Sequence, residues 1–132
     1  MMSVPTIQES GVQQSQNAAL KEEGGFKYIE DGEGPTLVVL HGLFGALSNF
    51  REVFEHFSGR YQVVIPMMPI YDLPVLETNV KRLARFVKDF IEFKGYDKVN
   101  LLGNSLGGHV ALVYALDNLE KVNAVILTGS SG

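Results

Sequence analysis

A serine flanked by glycines is the clearest candidate for chemistry in this sequence. Gly103-Asn104-Ser105-Leu106-Gly107 has the spacing G-x-S-x-G and lies between an apolar run typical of a buried strand and a pattern typical of a packed helix. A strand-to-helix turn this tight strains its central residue, and side chains two positions before and after it would collide, so both positions must be glycine. The turn would present the Ser105 hydroxyl as a nucleophile. The N–H groups at the start of the helix would stabilise a developing oxyanion.

The same pattern also occurs as a glycine-rich turn that only packs a helix closely against a strand. The chain contains 14 glycines, so a chance match is a real alternative. The strand before the motif and the helix after it are the context that the catalytic motif requires, and they favour the nucleophile.

The hydrophobic pattern predicts strands and helices alternating on both sides of this turn. Strands are expected at 18–22, 26–30, 36–40, 61–65, 99–102 and 122–128, and helices from a cap at Ser48, at about 77–94, and after Ser105 to about Asn118. The helix after Ser105 is expected to pack with Leu106, Val110, Ala111, Val113, Tyr114 and Leu116. This alternation predicts an α/β fold with a doubly wound, mostly parallel sheet and a small antiparallel start.

Composition narrows the possible partners. A chain of 132 residues with 45% hydrophobic residues is long enough for one domain, expected at 18–132 after a mobile arm at 1–17. The net charge of −4, without a basic cluster, argues against a nucleic-acid partner. There is no cysteine, no run long enough to span a membrane and no secretory signal, so a cytoplasmic location is expected. Neither a cofactor nor a metal is expected.

Two motifs together resemble the serine-dependent α/β-hydrolase family. HGLFG at 41–45 follows the third predicted strand, and GNSLGG at 103–108 follows the fifth, in the order and separation of that family. The resemblance covers about residue 18 to the end. The first motif is similar to that of small acyl-esterases and the second is closer to carbon–carbon bond hydrolases and lactonases, so no subfamily is chosen.

The resemblance implies a role for each motif residue. Ser105 would be the nucleophile for small-molecule ester, thioester, lactone or related acyl substrates, through an acyl-enzyme. The backbone N–H groups of Leu106 and Leu43 would form the oxyanion hole, with Phe44 as the less favoured donor.

The residues around this oxyanion loop have supporting roles in the same resemblance. His41 and Gly42 would hold the loop in place. Other apolar side chains could either line an acyl pocket or belong to the core: Leu43, Phe44, Leu47, Met67 and Met68.

The resemblance also implies that the sheet is truncated after its sixth strand. In the family the catalytic acid and histidine follow later strands, so both are expected beyond residue 132 and the chain alone is expected to be inactive. Of the histidines present, His41 belongs to the oxyanion loop and His56 is expected at the surface. His109 is expected to be packed or capped by a polar group. Asp72 is the nearest acid, in a loop that is usually glycine-rich in the family.

Several other functions remain to be weighed against hydrolysis. A non-catalytic binding domain or an inactive fragment would keep the fold and pocket without a working triad. Acyl transfer or lyase chemistry could use the same serine, whereas the aspartate-dependent dehalogenases of this fold are disfavoured by Ser105. A nucleotide-binding domain is disfavoured because its glycine motifs are missing. The sixth strand, 122–128, would have an open apolar edge and could support self-association.

Overall fold

The structure, a computed structural model, describes residues 20–41, 50–70 and 80–129, with the side chains of Phe50 and Arg51 excepted. The predicted arm at 1–17 lies outside these ranges. So do the remaining residues of the HGLFG loop, Leu47, the predicted cap Ser48, and Asp72.

The strands of the described ranges form one sheet of six strands. They are β1 (Leu20–Glu23), β2 (Phe26–Asp31), β3 (Thr36–Leu40), β4 (Gln62–Pro66), β5 (Val99–Asn104) and β6 (Val122–Thr128), in the spatial order β1-β2-β4-β3-β5-β6. β1 and β2 are antiparallel, as are β2 and β4, whereas β4, β3, β5 and β6 run parallel to one another. The predicted mostly parallel sheet with an antiparallel start is confirmed.

Three α-helices connect the parallel strands within the described ranges. They are α1 (Phe50–Phe57), α2 (Val80–Lys94) and α3 (Leu106–Asp117), and a short 3₁₀-helix at Leu119–Lys121 leads into β6. The strand before Ser105 extends two residues beyond its predicted end, to Asn104. Over the part of the chain that the structure describes, no helix combines the length and apolar character needed to cross a membrane.

The sheet separates two layers of hydrophobic core. Alternate residues of β3 point to opposite sides: Val38 and Leu40 pack in the layer that contains α2 and α3, and Leu37 and Val39 pack in the layer with Phe54 of α1. Because both faces of the central strands are covered, their sequences are continuous apolar runs rather than alternating ones.

The predicted packing of Leu116 is wrong. Its side chain is 70% exposed, and Leu112 four residues earlier is also exposed. α3 is apolar around most of its circumference, and it buries Val110, Ala111 and Tyr114, as predicted, but not Leu116. A helix without a polar face gives the sequence no means of telling which leucines point inward.

β6 lies at one edge of the sheet. Among the described residues it pairs only with β5, in parallel. It carries no charged residue, and Ile126 and Leu127, which point to opposite faces, are 43% and 50% exposed. Charged side chains commonly protect an edge strand from pairing, and β6 has none.

A polar network at the opposite end of the sheet from Ser105 connects α2 to β2. The ammonium group of Lys94 donates a hydrogen bond to the hydroxyl of Tyr28 (2.9 Å) and lies 3.5 Å from a carboxylate oxygen of Glu30. Glu30 also accepts hydrogen bonds from Tyr96 and from Gln62, the first residue of β4. Lys21 of β1 lies 3.4 Å from the same carboxylate, so Glu30 is the common partner of groups from β1, β4, the end of α2 and the segment after it.

The network shifts two pKa values upward. Burial alone would lower the pKa of Lys94, but the hydrogen bond with Tyr28 and the charge of Glu30 outweigh it and raise that pKa above its ordinary value. Burial raises the pKa of Tyr96, and the negative charge of Glu30 raises it further. Both groups therefore hold their protons more tightly in the folded chain than in the unfolded chain.

This difference predicts a loss of stability at alkaline pH. A group with a raised folded-state pKa contributes stability that is complete below its unfolded pKa, about 10 for both residues, and is lost as pH rises through the folded value. In urea unfolding between about pH 8 and about pH 11.5, the free energy of unfolding should fall more gently above about pH 10 in Tyr96→Phe than in the wild type. Glu30→Gln removes the charge that raises both pKa values and should also flatten the decline. If the free energy of unfolding fell with pH at the same slope in the wild type and in both variants, the raised pKa values of Tyr96 and Lys94 would be contradicted.

Candidate active site

The four parallel strands end side by side along one edge of the sheet. This edge, at the carboxyl ends of the strands, is distinct from the lateral edge formed by β6. Leu40, the last residue of β3, pairs with Gly103 of β5, and Asn104 of β5 pairs with Thr128, the last residue of β6. β4 ends at Pro66 on the other side of β3. Parallel pairing therefore places His41, Ser105 and the segment after β4 along the same edge, where open α/β sheets bind ligands.

Ser105 links β5 to α3 in a strained backbone conformation. Its φ is 57° and its ψ is −119°, and it is the one non-glycine residue with positive φ in the described ranges. Its N–H is shared between the carbonyl oxygens of Thr128 and Gly129, both at 3.0 Å. Its own carbonyl accepts from the N–H of Gly108 (2.8 Å) and of His109 (3.4 Å). Strain of this kind persists only where surrounding bonds enforce it, and here they do so from both sides.

The two glycines around Ser105 allow close backbone contacts. A Cβ atom on Gly103 would lie 2.5 Å from the carbonyl oxygen of Gly107 and 2.7 Å from Cα of Gly108. A Cβ atom on Gly107 would overlap the carbonyl of Leu40 and lie 2.9 Å from that of His41. The obstacle at Gly107 is therefore the end of β3 and not, as the sequence argument assumed, a side chain at position 103. The local motif carries no information about that neighbouring strand.

Leu106, whose N–H is one of the two predicted oxyanion donors, lies at the start of α3. It is the first residue of α3, so its N–H is among the four at a helix start that have no acceptor within the helix. The other predicted donor, Leu43, lies outside the described residues, as do its alternative Phe44 and the supporting residue Gly42.

His41 connects two loops of this edge. The residue is buried, and its Nε2 accepts a hydrogen bond from the backbone N–H of Met68 at 3.2 Å. Nε2 must carry a lone pair to accept this bond, so the neutral ring joins the segment after β3 to the segment after β4. The predicted role of His41 in holding the HGLFG loop stays a prediction, because residues 42–45 lie outside the described ranges.

The other two histidines lie on helix surfaces. His56 is exposed on α1, as predicted, and its ring meets that of Phe57 edge-on with centroids 4.6 Å apart. His109 is also exposed, so of its two predicted states, packed or capped by a polar group, the packed one is wrong. The next residue, Val110, takes the position against the sheet and turns His109 outward.

The methionines after β4 belong to the core rather than to an open pocket wall. Met68 is buried in the layer beneath α2 and α3. Met67 is half-buried and packs against the layer beneath α1. The other candidates for an apolar wall, Leu43, Phe44 and Leu47, lie outside the described residues.

Sequence reasoning missed the residues at the end of β6 that contact the candidate nucleophile. Thr128 and Gly129 supply both acceptors for the N–H of Ser105, and the Thr128 hydroxyl donates to Oδ1 of Asn104. The only signal in the sequence is the predicted parallel pairing of the two strands, which places their ends side by side. The register that joins Asn104 to Thr128 requires the three-dimensional structure.

The family model for the alpha/beta hydrolase fold matches residues 35–132. The chain belongs to the alpha/beta hydrolase fold family. The match includes both motifs and every parallel strand of the sheet, in agreement with the resemblance derived from the sequence.

Individual proteins and solved structures are also similar to this chain. The chain is 34% identical over 113 residues to a 2-hydroxy-6-oxo-6-(2'-aminophenyl)hexa-2,4-dienoic acid hydrolase of Metapseudomonas resinovorans, covering 80% of this chain and 39% of that protein. It is 52% identical to an alpha/beta hydrolase enzyme from a sediment metagenome of the Mar Chica lagoon in Morocco, with a TM-score of 0.79 over 86% of this chain and 52% of that structure. A serine hydrolase involved in carbazole degradation is 32% identical, with a TM-score of 0.71 over 86% of this chain and 49% of that structure.

These relatives are longer than the present chain. The chain spans about two fifths of the curated relative and about half of each of the two solved structures. The family match at 35–132 covers β3 to β6 and the turn that carries Ser105.

The close approach of α3 to β3 predicts a large difference between two adjacent glycines. Gly107→Ala should destabilise the chain by about 3 kcal/mol, because the new methyl group can be accommodated only by moving the Leu40 carbonyl or the helix. In Gly108→Ala the new Cβ meets its nearest atoms at 3.4 Å and 3.5 Å, which are ordinary contacts, and the stability should stay within about 1 kcal/mol of the wild type. Chemical unfolding of both variants measures the difference. Equal stability would show that α3 does not approach β3 as described.

Proposed function

We propose that the protein is a serine-dependent hydrolase of ester, thioester, lactone or related acyl substrates, acting through an acyl-enzyme on Ser105. The observation that carries the proposal is the conformation of Ser105, held at positive φ between β5 and α3 beside the N–H of Leu106. Two relatives named as a serine hydrolase and as a hydrolase of a hydroxy-oxo-dienoic acid support it. The HGLFG and GNSLGG motifs leave the acyl group and the leaving group open.

The proposed reaction has two stages. The Ser105 oxygen attacks the substrate carbonyl while a histidine base takes its proton, and the resulting oxyanion accepts hydrogen bonds from the N–H groups of Leu106 and Leu43. The leaving group then departs with that proton, and water releases the acyl group from Ser105 by the same steps. Loss of one oxyanion donor typically costs about 3 kcal/mol of transition-state stabilisation.

The base and its orienting acid are assigned to residues beyond 132. The Nε2 atom of His41 already accepts the N–H of Met68, and His56 lies on the exposed face of α1. His109 follows Ser105 by one helical turn and is exposed, so α3 carries it away from the strand end that presents the serine hydroxyl. The same considerations support the second candidate, in which residues 1–132 alone form an inactive fragment or a binding domain.

A fluorophosphonate probe tests the role of Ser105. The complete enzyme should be labelled, because the probe reacts with an activated serine, and Ser105→Ala should abolish the labelling. Ser58→Ala, which alters a serine in the turn after α1, should be labelled like the wild type. Labelling of Ser105→Ala at the wild-type rate would refute the proposal. Residues 1–132 alone should remain unlabelled, and labelling of that polypeptide would place the base within it.

The exposed edge of β6 supports a proposal about assembly. In a polypeptide of residues 1–132, we propose that β6 pairs with β6 of a second copy, because its outer N–H and C=O groups and the side chains of Ile126 and Leu127 are uncovered among the described residues.

Two lysine substitutions distinguish pairing through β6 from nonspecific association of exposed apolar side chains. Sedimentation velocity should show concentration-dependent association of this polypeptide and a marked reduction in Ile126→Lys, since an edge charge opposes pairing. Leu116→Lys alters an even more exposed side chain on α3 and should leave association unchanged. If Leu116→Lys dispersed the assemblies and Ile126→Lys did not, α3 would be the contact surface instead.

A further inference from the structure

The last residue pair of β5 and β6 is joined by side chains as well as by backbone. Asn104 and Thr128 are partners in the strand register, and the Thr128 hydroxyl donates a hydrogen bond of 3.1 Å to Oδ1 of Asn104. The chain turns immediately afterwards at Gly129, which has a φ of 61°. A Cβ atom on Gly129 would lie 2.5 Å from Oδ1 of Asn104, so the backbone of the turn passes directly against the asparagine side chain.

The residues that contact Asn104 are also those that hold the backbone of Ser105. The N–H of Ser105 is divided between the carbonyl oxygens of Thr128 and Gly129, at equal distances of 3.0 Å. Sideways movement of the end of β6 would lengthen at least one of these bonds. The positive φ of Ser105 would then lose part of the support that maintains it.

We propose that Asn104 and Thr128 are positioning residues for Ser105. Their side-chain hydrogen bond fixes the end of β6 beside the turn, and the fixed carbonyls of Thr128 and Gly129 set the orientation of the serine backbone and therefore of its hydroxyl. This inference rests on the proposed function, since it concerns the geometry of the nucleophile. Neither residue touches the reacting atoms in this role.

The contribution of this bond to overall stability should be small. The Asn104–Thr128 hydrogen bond is exposed to solvent, where water competes for both groups. Its effect on reaction geometry can be much larger, because misplacement of a reacting group by about 1 Å can cost on the order of a hundredfold in rate. A positioning role therefore predicts a loss of rate without a matching loss of stability.

The same two strands provide a matched control at their other end. Nδ2 of Asn123 in β6 donates a hydrogen bond of 2.9 Å to Oδ1 of Asn100 in β5, and this bond is also exposed. It joins the same strands by a side-chain bond of similar length, at the register shift between the pairs Val99–Val122 and Asn100–Ala124. It lies near the amino ends of β5 and β6, away from Ser105.

The experiment compares Thr128→Val, Thr128→Ser and Asn123→Ala in the complete enzyme, with an acyl ester substrate and a fluorophosphonate probe. Thr128→Val removes the hydroxyl at nearly constant volume and should lower kcat and the labelling rate constant about tenfold, with KM within about twofold of the wild type. Thr128→Ser keeps the hydroxyl and should restore most of the rate. Asn123→Ala should react like the wild type.

Wild-type kcat in Thr128→Val, or an equal loss of kcat in Asn123→Ala, would overturn the proposal. Thr128→Ala serves the same comparison if the valine variant does not fold.

A second measurement separates this inference from the proposed function. Amide hydrogen exchange at Ser105 reports on its N–H bonds without any catalysis, and it should be about tenfold faster in Thr128→Val and unchanged in Asn123→Ala. If Ser105→Ala were labelled like the wild type, the proposed nucleophile would be wrong while the exchange result still judged the positioning pair. If Ser105→Ala abolished labelling and exchange in Thr128→Val matched the wild type, the pair alone would be wrong.

Discussion

The architecture of the candidate site depends on how closely the first turn of α3 approaches the ends of β3 and β5. The backbone at Gly107 touches the carbonyl of Leu40, and Gly103 touches the backbone of Gly107 and Gly108. Only glycine permits both contacts, and together they bring the helix start, with its unpaired N–H groups, next to two adjacent strand ends. The position of Ser105 and the direction of α3 both follow from this contact.

A contact that close requires support from the rest of the sheet. On one side, His41, which follows β3, accepts a hydrogen bond from the N–H of Met68 in the segment after β4. On the other side, the end of β6 accepts the N–H of Ser105 through two carbonyls. The strained serine therefore belongs to a row of four connected strand ends. A change in the register of β6 would alter the backbone hydrogen bonds of Ser105 as directly as a shift of α3.

The sequence predicted those parts of the structure that are governed by local pattern. Buried strands appeared as continuous apolar runs such as residues 36–40, and the G-x-S-x-G spacing located the strained turn. The packing of Leu116 was predicted wrongly because α3 is apolar on most sides, so its pattern included the buried Val110 and Tyr114 but did not separate them from an outward-facing leucine. The β3 backbone against Gly107 and the bond between Thr128 and Asn104 depend on distant segments, and no local pattern encodes them.

The two polar networks of the sheet lie at opposite edges and differ in construction. At the edge away from Ser105, Glu30 has partners from β1, β4, the end of α2 and the segment after it, and its charge contributes to the raised pKa values of Lys94 and Tyr96. At the Ser105 edge the contacts are mainly hydrogen bonds between backbone groups. The side chains of His41, Asn104 and Thr128 add further hydrogen bonds. Among the described residues, these backbone contacts fix the position of Ser105 without introducing a charge. They therefore suit a site whose proposed task is to stabilise, with donors already in place, negative charge that forms only during the reaction.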